Sequence, residues 1–389
     1  MLIWKYTHRR LCALLCLLLV LSLSAGCGAK QTAPQSTTQS AAQETPAAQE
    51  TPAAQQTPAT QQTPAAQETP PRAAEQDARP LRIVTSIFPA YDWVRTILGE
   101  RADDAELTLL LDSGADLHSY QPSVDDMVRI SSCDLFVYVG GESDEWVEDA
   151  LEEAVNREME TVNLMAVLGD ALRQEELVEG MQGDHDHDHD DHDDHDDHDD
   201  HDDHDDHDDH DEYDEHVWLS LRNAAVLCGA ISDALGRLDA EHADLYAANA
   251  ADYVGALEAL DAQYAAAVSA APVKTLLFGD RFPFRYLTED YGLDYYAAFI
   301  GCSAETEASF ETVAFLADKV DELGLNTVLT IESSDGRLAR TIVENTAKRS
   351  AQVLQLDSLQ STTAEEIAAG ATYLTAMEQN LSVLKEALQ

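Results

Sequence analysis

Between residues 184 and 211 the chain is almost wholly histidine and aspartate, and from His189 to His210 it repeats His-Asp-Asp with a period of three. Such a run repels itself and has nothing to bury, so it interrupts the globular body as a loop instead of joining a core. Residues 184–215 hold 19 Asp, 2 Glu and no Lys or Arg, and contribute −21 of the formal charge of −51. Ten of the 14 histidines lie in the tract: His185, His187, His189, His192, His195, His198, His201, His204, His207 and His210. Aspartate alone would make a solvated acidic loop; the regular imidazoles need a further reason. Imidazole and carboxylate at close spacing ligate Zn, Ni or Cu, and the carboxylates gather divalent cations around them. The same balance excludes nucleic acid and an anionic membrane face, which call for Lys and Arg, and suits a cationic partner.

The N-terminus reads as a targeting segment. Lys5, Arg9 and Arg10 precede an apolar run over 11–23, and Ser24, Ala25 and Gly26 lead to Cys27. That order predicts a secretory signal over 1–26. The apolar run falls short of the roughly 20 residues a spanning helix needs. Leu-Ser-Leu-Ser-Ala-Gly-Cys resembles a bacterial lipobox, with Ser24 where a bulky aliphatic is usual. The resemblance implies lipidation of Cys27 and an anchor on the outer face of the cell membrane. Residues 27–80 then form a tether, in which Thr-Pro-Ala-Ala-Gln recurs and aliphatics are too few for a core. Cys12 and Cys16 leave with the signal. Cys133, Cys228 and Cys302 remain, an odd number outside any CxxC pair, and read as buried small hydrophobes with no thiolate metal site.

From residue 81 onward, apolar runs alternate with helical patterns. Strands are predicted at 81–86, 106–111, 134–140 and 161–167, with helices at 88–100, from a capping box at Ser123, and at 144–156. An Ala- and Leu-rich stretch over 221–270 has helical spacing and no Pro, and predicts one or two long helices. Strands then return at 275–279, 295–300, 327–332 and 351–357, with helices at 306–323 and 336–349 and a last one from a capping box at Thr363 to about Ala387. Continuous apolar strands between helices predict an α/β fold with parallel sheets covered on both faces. The expected organisation is an N-terminal lobe over 81–220 containing the 184–211 loop, a helical segment over 221–272, and a C-terminal lobe over 273–389. Ligands bind beyond the carboxyl ends of such strands, so two facing lobes would share one cleft.

His118 falls between a predicted strand end and the Ser123 cap, in Asp116-Leu-His-Ser-Tyr-Gln-Pro-Ser123; His216 follows the tract in Glu215-His-Val-Trp-Leu-Ser220. Alone, the first could be a solvated loop residue and the second the last histidine of the tract. Together, in this order and around a His/Asp-rich loop, the two motifs resemble the zinc/manganese solute-binding lipoproteins of bacterial ABC importers, over about residues 81–389. The resemblance implies two lobes joined by a long rigid helix, here around 241–269, and a metal site in the interlobe cleft with His118 and His216 as ligands. The family's third histidine falls on Arg281, counting back from Tyr291, and Arg has no lone pair to give. Asp280, one residue away, is a candidate substitute. The acidic fourth ligand corresponds to Asp357 or Glu332, both at predicted strand ends. Two imidazoles with one or two carboxylates suit Zn2+, and more oxygen donors would suit Mn2+. The implied role is capture of the metal outside the cytoplasm and delivery by a monomer to a membrane permease and its ATPase, with the tract as an auxiliary collector. The alternatives are a surface metal buffer or adhesin without a permease, and a zinc hydrolase; against the last, the chain has no HExxH or GxSxG.

Overall fold

The computed structural model describes residues 79–182, 213–303 and 307–389. The signal, Cys27, nearly all of the tether and the ten histidines of the tract lie outside these residues.

Two parallel four-stranded sheets organise the chain. The first has the order β2-β1-β3-β4, from β1 (Arg82–Thr85), β2 (Glu106–Leu109), β3 (Leu135–Tyr138) and β4 (Glu160–Asn163). Its helices are α1 (Phe88–Leu98), α2 (Val124–Ser132), α3 (Trp146–Glu152) and α4 (Leu164–Leu168). The second has the order β6-β5-β7-β8, from β5 (Thr275–Phe282), β6 (Asp294–Ile300), β7 (Thr327–Thr330) and β8 (Gln352–Gln355). The central strands are buried on both faces, as covering helices require.

Between the sheets come α5 (Leu221–Leu238) and α6 (Ala243–Ala270). The turn separating them is held by Asp239, whose carboxylate faces His242 Nδ1 at 2.9 Å and accepts from Tyr246 Oη at 2.7 Å. At about 1.5 Å per residue α6 is about 42 Å long. Its buried residues, Tyr246, Ala250, Tyr253, Leu257, Leu260, Tyr264 and Val268, recur every three or four positions along one stripe. The helix ties both lobes: Asn249 donates to the Ile97 carbonyl of α1 at 2.9 Å, and Tyr264 donates to Met377 O at 2.6 Å in the C-terminal helix.

Four elements differ from the sequence reading. The strand expected over 161–167 stops at Asn163, whose side chain accepts from Ala166 N and starts α4; a short apolar run suits strand and helix alike. The helix expected over 144–156 contracts to α3. The last helix is two, α10 (Ala364–Ala368) and α11 (Tyr373–Ala387), split where Gly370 takes φ +101° and Thr372 makes a second capping box. A helix not anticipated, α7 (Arg285–Tyr291), follows β5 and ends at left-handed Gly292. The second lobe is completed by α8 (Phe310–Leu323) and α9 (Arg337–Asn345).

Two glycines test this packing with opposite signs. A Cβ at Gly279 in β5 would lie 2.5 Å from Ala339 Cα of α9, whereas nothing is within 4 Å of one at Gly255, on the exposed face of α6. Gly279→Ala is expected to destabilise by about 1–3 kcal/mol through overpacking, and Gly255→Ala to stabilise by about 0.5–1 kcal/mol through helix propensity. Urea unfolding of the two variants beside the parent checks both signs.

Candidate metal centre

The loops that follow strand carboxyl ends carry most of the candidate residues. After β2, a single 3-10 turn over Leu117–Ser119 is anchored by buried Leu117 and capped by Asp116, whose Oδ1 accepts from His118 N at 3.1 Å. His216 opens a second 3-10 turn, Val217–Leu219, all three of whose residues are buried. Trp218 Nε1 donates to Ser358 O at 2.9 Å and Tyr373 Oη donates to Trp218 O at 2.6 Å, so this turn is fastened to the second lobe. The two imidazoles meet with Nε2 facing Nε2 at 3.1 Å.

Each ring has a carboxylate behind it. Asp214 Oδ1 accepts from His216 N at 2.8 Å and lies 2.9 Å from His216 Nδ1. Glu215 Oε2 lies 3.5 Å from His118 Nδ1, which is also 2.8 Å from Ser143 Oγ. Glu215 Oε1 accepts from Ser143 N at 2.8 Å. Gly141 makes room for that carboxylate: its φ is +79°, and a Cβ there would stand 2.4 Å from Glu215 Oε1. Asp214 at His216 Nδ1 is the carboxylate–histidine arrangement of zinc sites; at His118 Nδ1 the hydrogen-bond partner is Ser143 Oγ, with Glu215 just beyond bonding distance, and a proton on each Nδ1 leaves the Nε2 lone pairs aimed at one point. Two nitrogens about 2.0–2.1 Å from one tetrahedral zinc stand about 3.3–3.4 Å apart, close to the observed separation.

Burial, and then the neighbouring His216, push the His118 pKa down to about 3, so this ring is neutral near pH 7. Burial also lowers that of His216, but the charge and hydrogen bond of Asp214, with Glu215 and Glu175 nearby, outweigh it and raise the net value.

The remaining expectations fare differently. Among the described residues, the metal-capable atoms that gather within 4.8 Å of one another belong to His118, His216 and Cys302; Asp280, Glu332 and Asp357 are not in that group. Each accepts at least one hydrogen bond elsewhere, while Asp280 Oδ2 is buried without a partner among the described residues. Glu332 accepts from Ser358 N and Oγ, Gln360 N and Ser361 Oγ. Asp357 Oδ1 accepts from Leu359 N at 2.8 Å, and burial with the charge of Glu332 pushes its carboxyl up to about 6. Asp280 Oδ1 accepts from Arg281 N at 2.9 Å. Arg281 donates to Asp116 Oδ2 and to Ser303 O. Burial alone would raise the Asp116 pKa, but that guanidinium holds it below the usual carboxylate range.

Cys302 corrects the sequence reading. Cys133 and Cys228 are buried as expected, whereas Cys302 is half-buried and stands at the two imidazoles. The signal for it is topological: it follows the carboxyl end of β6, beside the last residues of β5 that include Arg281. It also lines an open cavity of about 730 Å³ with His118, Glu142, Glu145, Glu175 and Glu215.

The family profile described as "Zinc-uptake complex component A periplasmic" matches residues 83–387. The chain belongs to this zinc-uptake family. The zinc-binding lipoprotein AdcA of Streptococcus pneumoniae is 31% identical over 309 residues, covering 79% of this chain and 55% of AdcA. The high-affinity zinc uptake system protein ZnuA of Bacillus subtilis is 27% identical, over 81% of this chain and 90% of that protein. The Zn(II)-bound ZnuA-like domain of pneumococcal AdcA superposes with a TM-score of 0.60 at 28% identity, covering 79% of this chain and 99% of that domain. The chain thus spans about half the length of the AdcA relatives it matches.

The carboxylates behind the rings give a test. Asp214→Asn and Glu215→Gln are each expected to weaken zinc binding about 10–100-fold with the stoichiometry unchanged, the usual cost of an outer partner. Competition with a chromophoric chelator measures it; unchanged affinity in both variants would remove these carboxylates from the site.

Proposed function

We propose that this chain captures Zn2+ outside the cytoplasm, holds it between His118 and His216, and hands it to an ABC-type membrane permease with its ATPase. It is a binding component and not an enzyme. The observation that carries the reading is the meeting of two Nε2 atoms at 3.1 Å, each ring backed by a carboxylate. Four glutamates along the cavity leading to His118 support it, because carboxylates lining a cleft raise the local concentration of cations. Imidazole donors favour zinc over manganese, which prefers oxygen. In this reading the signal is removed, Cys27 carries a lipid, and residues 27–80 tether the lobes to the membrane. No described helix is long and apolar enough to cross one.

The His/Asp tract serves as an auxiliary collector. Its sequence ends at residues that lead directly into the site: Tyr213 lines the cavity and His216 is three residues further on. Many weak, exchangeable ligands next to one tight site would concentrate metal without competing for its final position.

Titration calorimetry on the full chain should resolve one tight zinc site and several weak ones. Deleting 184–211 should remove only the weak class, and His118→Ala or His216→Ala only the tight one. Tight affinity should fall from about pH 8 to about pH 6, because protons compete for His216, whose pKa is raised, while His118 adds nothing in that range. A tight site that survives both alanine variants would refute the assignment.

A further inference from the structure

We propose that the thiolate of Cys302 is the third protein donor to the captured zinc, giving a His118, His216, Cys302 set. This rests on the proposed zinc-binding role and specifies its chemistry.

The first support is position. The Cys302 sulfur and the imidazole nitrogens lie within 4.8 Å of one another. In a tetrahedral zinc site with Zn–S about 2.3 Å and Zn–N about 2.0–2.1 Å, sulfur and nitrogen stand about 3.5–3.6 Å apart. Closing the remaining gap takes a shift of about 1.3 Å at most, within reach of a rotation about a side-chain bond.

The second support is the way the loop is built. Gly301 lies directly on the His216 ring: a Cβ there would stand 3.0 Å from Cε1 and 3.2 Å from Nδ1, and 2.9 Å from Phe282 O. The missing side chain lets the backbone carrying Cys302 approach the imidazole. On the other side Cys302 N donates to Glu175 Oε1 at 3.2 Å. The sulfur is therefore delivered by a segment fitted against one ligand and fixed from the opposite wall.

The third support is Arg281. It occupies the position where the family resemblance expects an imidazole, and it cannot ligate. Its guanidinium instead holds Asp116, two residues before His118, and the carbonyl of Ser303, one residue after Cys302. The residue that displaced a ligand thus positions the loops of two others.

Coordination breaks the S–H bond and forms Zn–S. The proton passes to Glu175, whose Oε1 lies against this residue and accepts from Cys302 N at 3.2 Å, and from there to solvent through the cavity that both residues line. Without metal, burial and the surrounding carboxylates raise the thiol pKa and keep it protonated and unreactive. A soft donor also discriminates against manganese more strongly than a third imidazole or a carboxylate would.

The test is to load the full chain with one equivalent of Co2+ and record its near-ultraviolet absorption, with Cys302→Ala and Cys302→Ser beside it. Thiolate-to-cobalt charge transfer is expected in the parent and absent in both variants; the tract contains no cysteine to mimic it. Zinc affinity should fall at least tenfold in the variants, since losing even an outer partner costs about 10–100-fold. Metal-free melting of the variants should match the parent, which separates ligand loss from misfolding. Zinc binding that needs His118 and His216 but shows no charge transfer in the parent, or is unchanged in Cys302→Ala, would overturn the thiolate and leave the zinc-capture role standing. Failure of the parent to bind zinc through either histidine would overturn both.

Discussion

The site depends on one dipeptide. Asp214 and Glu215 are adjacent in sequence, and each sets a carboxylate beside the Nδ1 of a different imidazole, one on the loop after β2 and one on the turn that leads into α5. With Ser143 Oγ at the His118 ring, this favours protons on the Nδ1 atoms and leaves the two Nε2 atoms facing one another. The packing around the dipeptide is correspondingly strict. Gly141 gives up its side chain to admit Glu215, and the Val217–Leu219 turn is buried against the Ser358 loop and Tyr373. The two lobes are thereby joined near the ligands as well as along α6.

Charge then accounts for much of the rest. A strongly acidic chain with an acidic cavity attracts cations in general; selection among them falls to the few donors at its floor. Arg281 is a cation placed beside the loops of those donors. By neutralising Asp116 it removes an oxygen ligand from contention, and it keeps neighbouring loops together before any metal arrives.

The α/β class, the parallel sheets and the caps at Ser123 and Thr363 were legible because each rests on local chemistry, apolar runs and cap residues, whereas the pairing of His118 with His216 came from the family resemblance. What was not legible depended on contacts distant in sequence. His216 resembles one more histidine of the tract until Trp218 is seen to bury its turn. Residues 164–168 are apolar enough for a strand, and only the cap made by Asn163 turns them into a helix. Cys302 has no neighbouring cysteine in the sequence, and its partners are imidazoles 86 and 184 positions away that only the fold brings close. Glu332 and Asp357 follow strand ends as expected and Asp280 lies within β5; each accepts hydrogen bonds within the second lobe that the sequence does not show.

The most direct measurement is a crystal structure of the zinc-loaded chain with anomalous data collected at the zinc edge. The account requires a strong peak about 2.0–2.1 Å from Nε2 of both His118 and His216. A tightly bound zinc located away from that pair would contradict it.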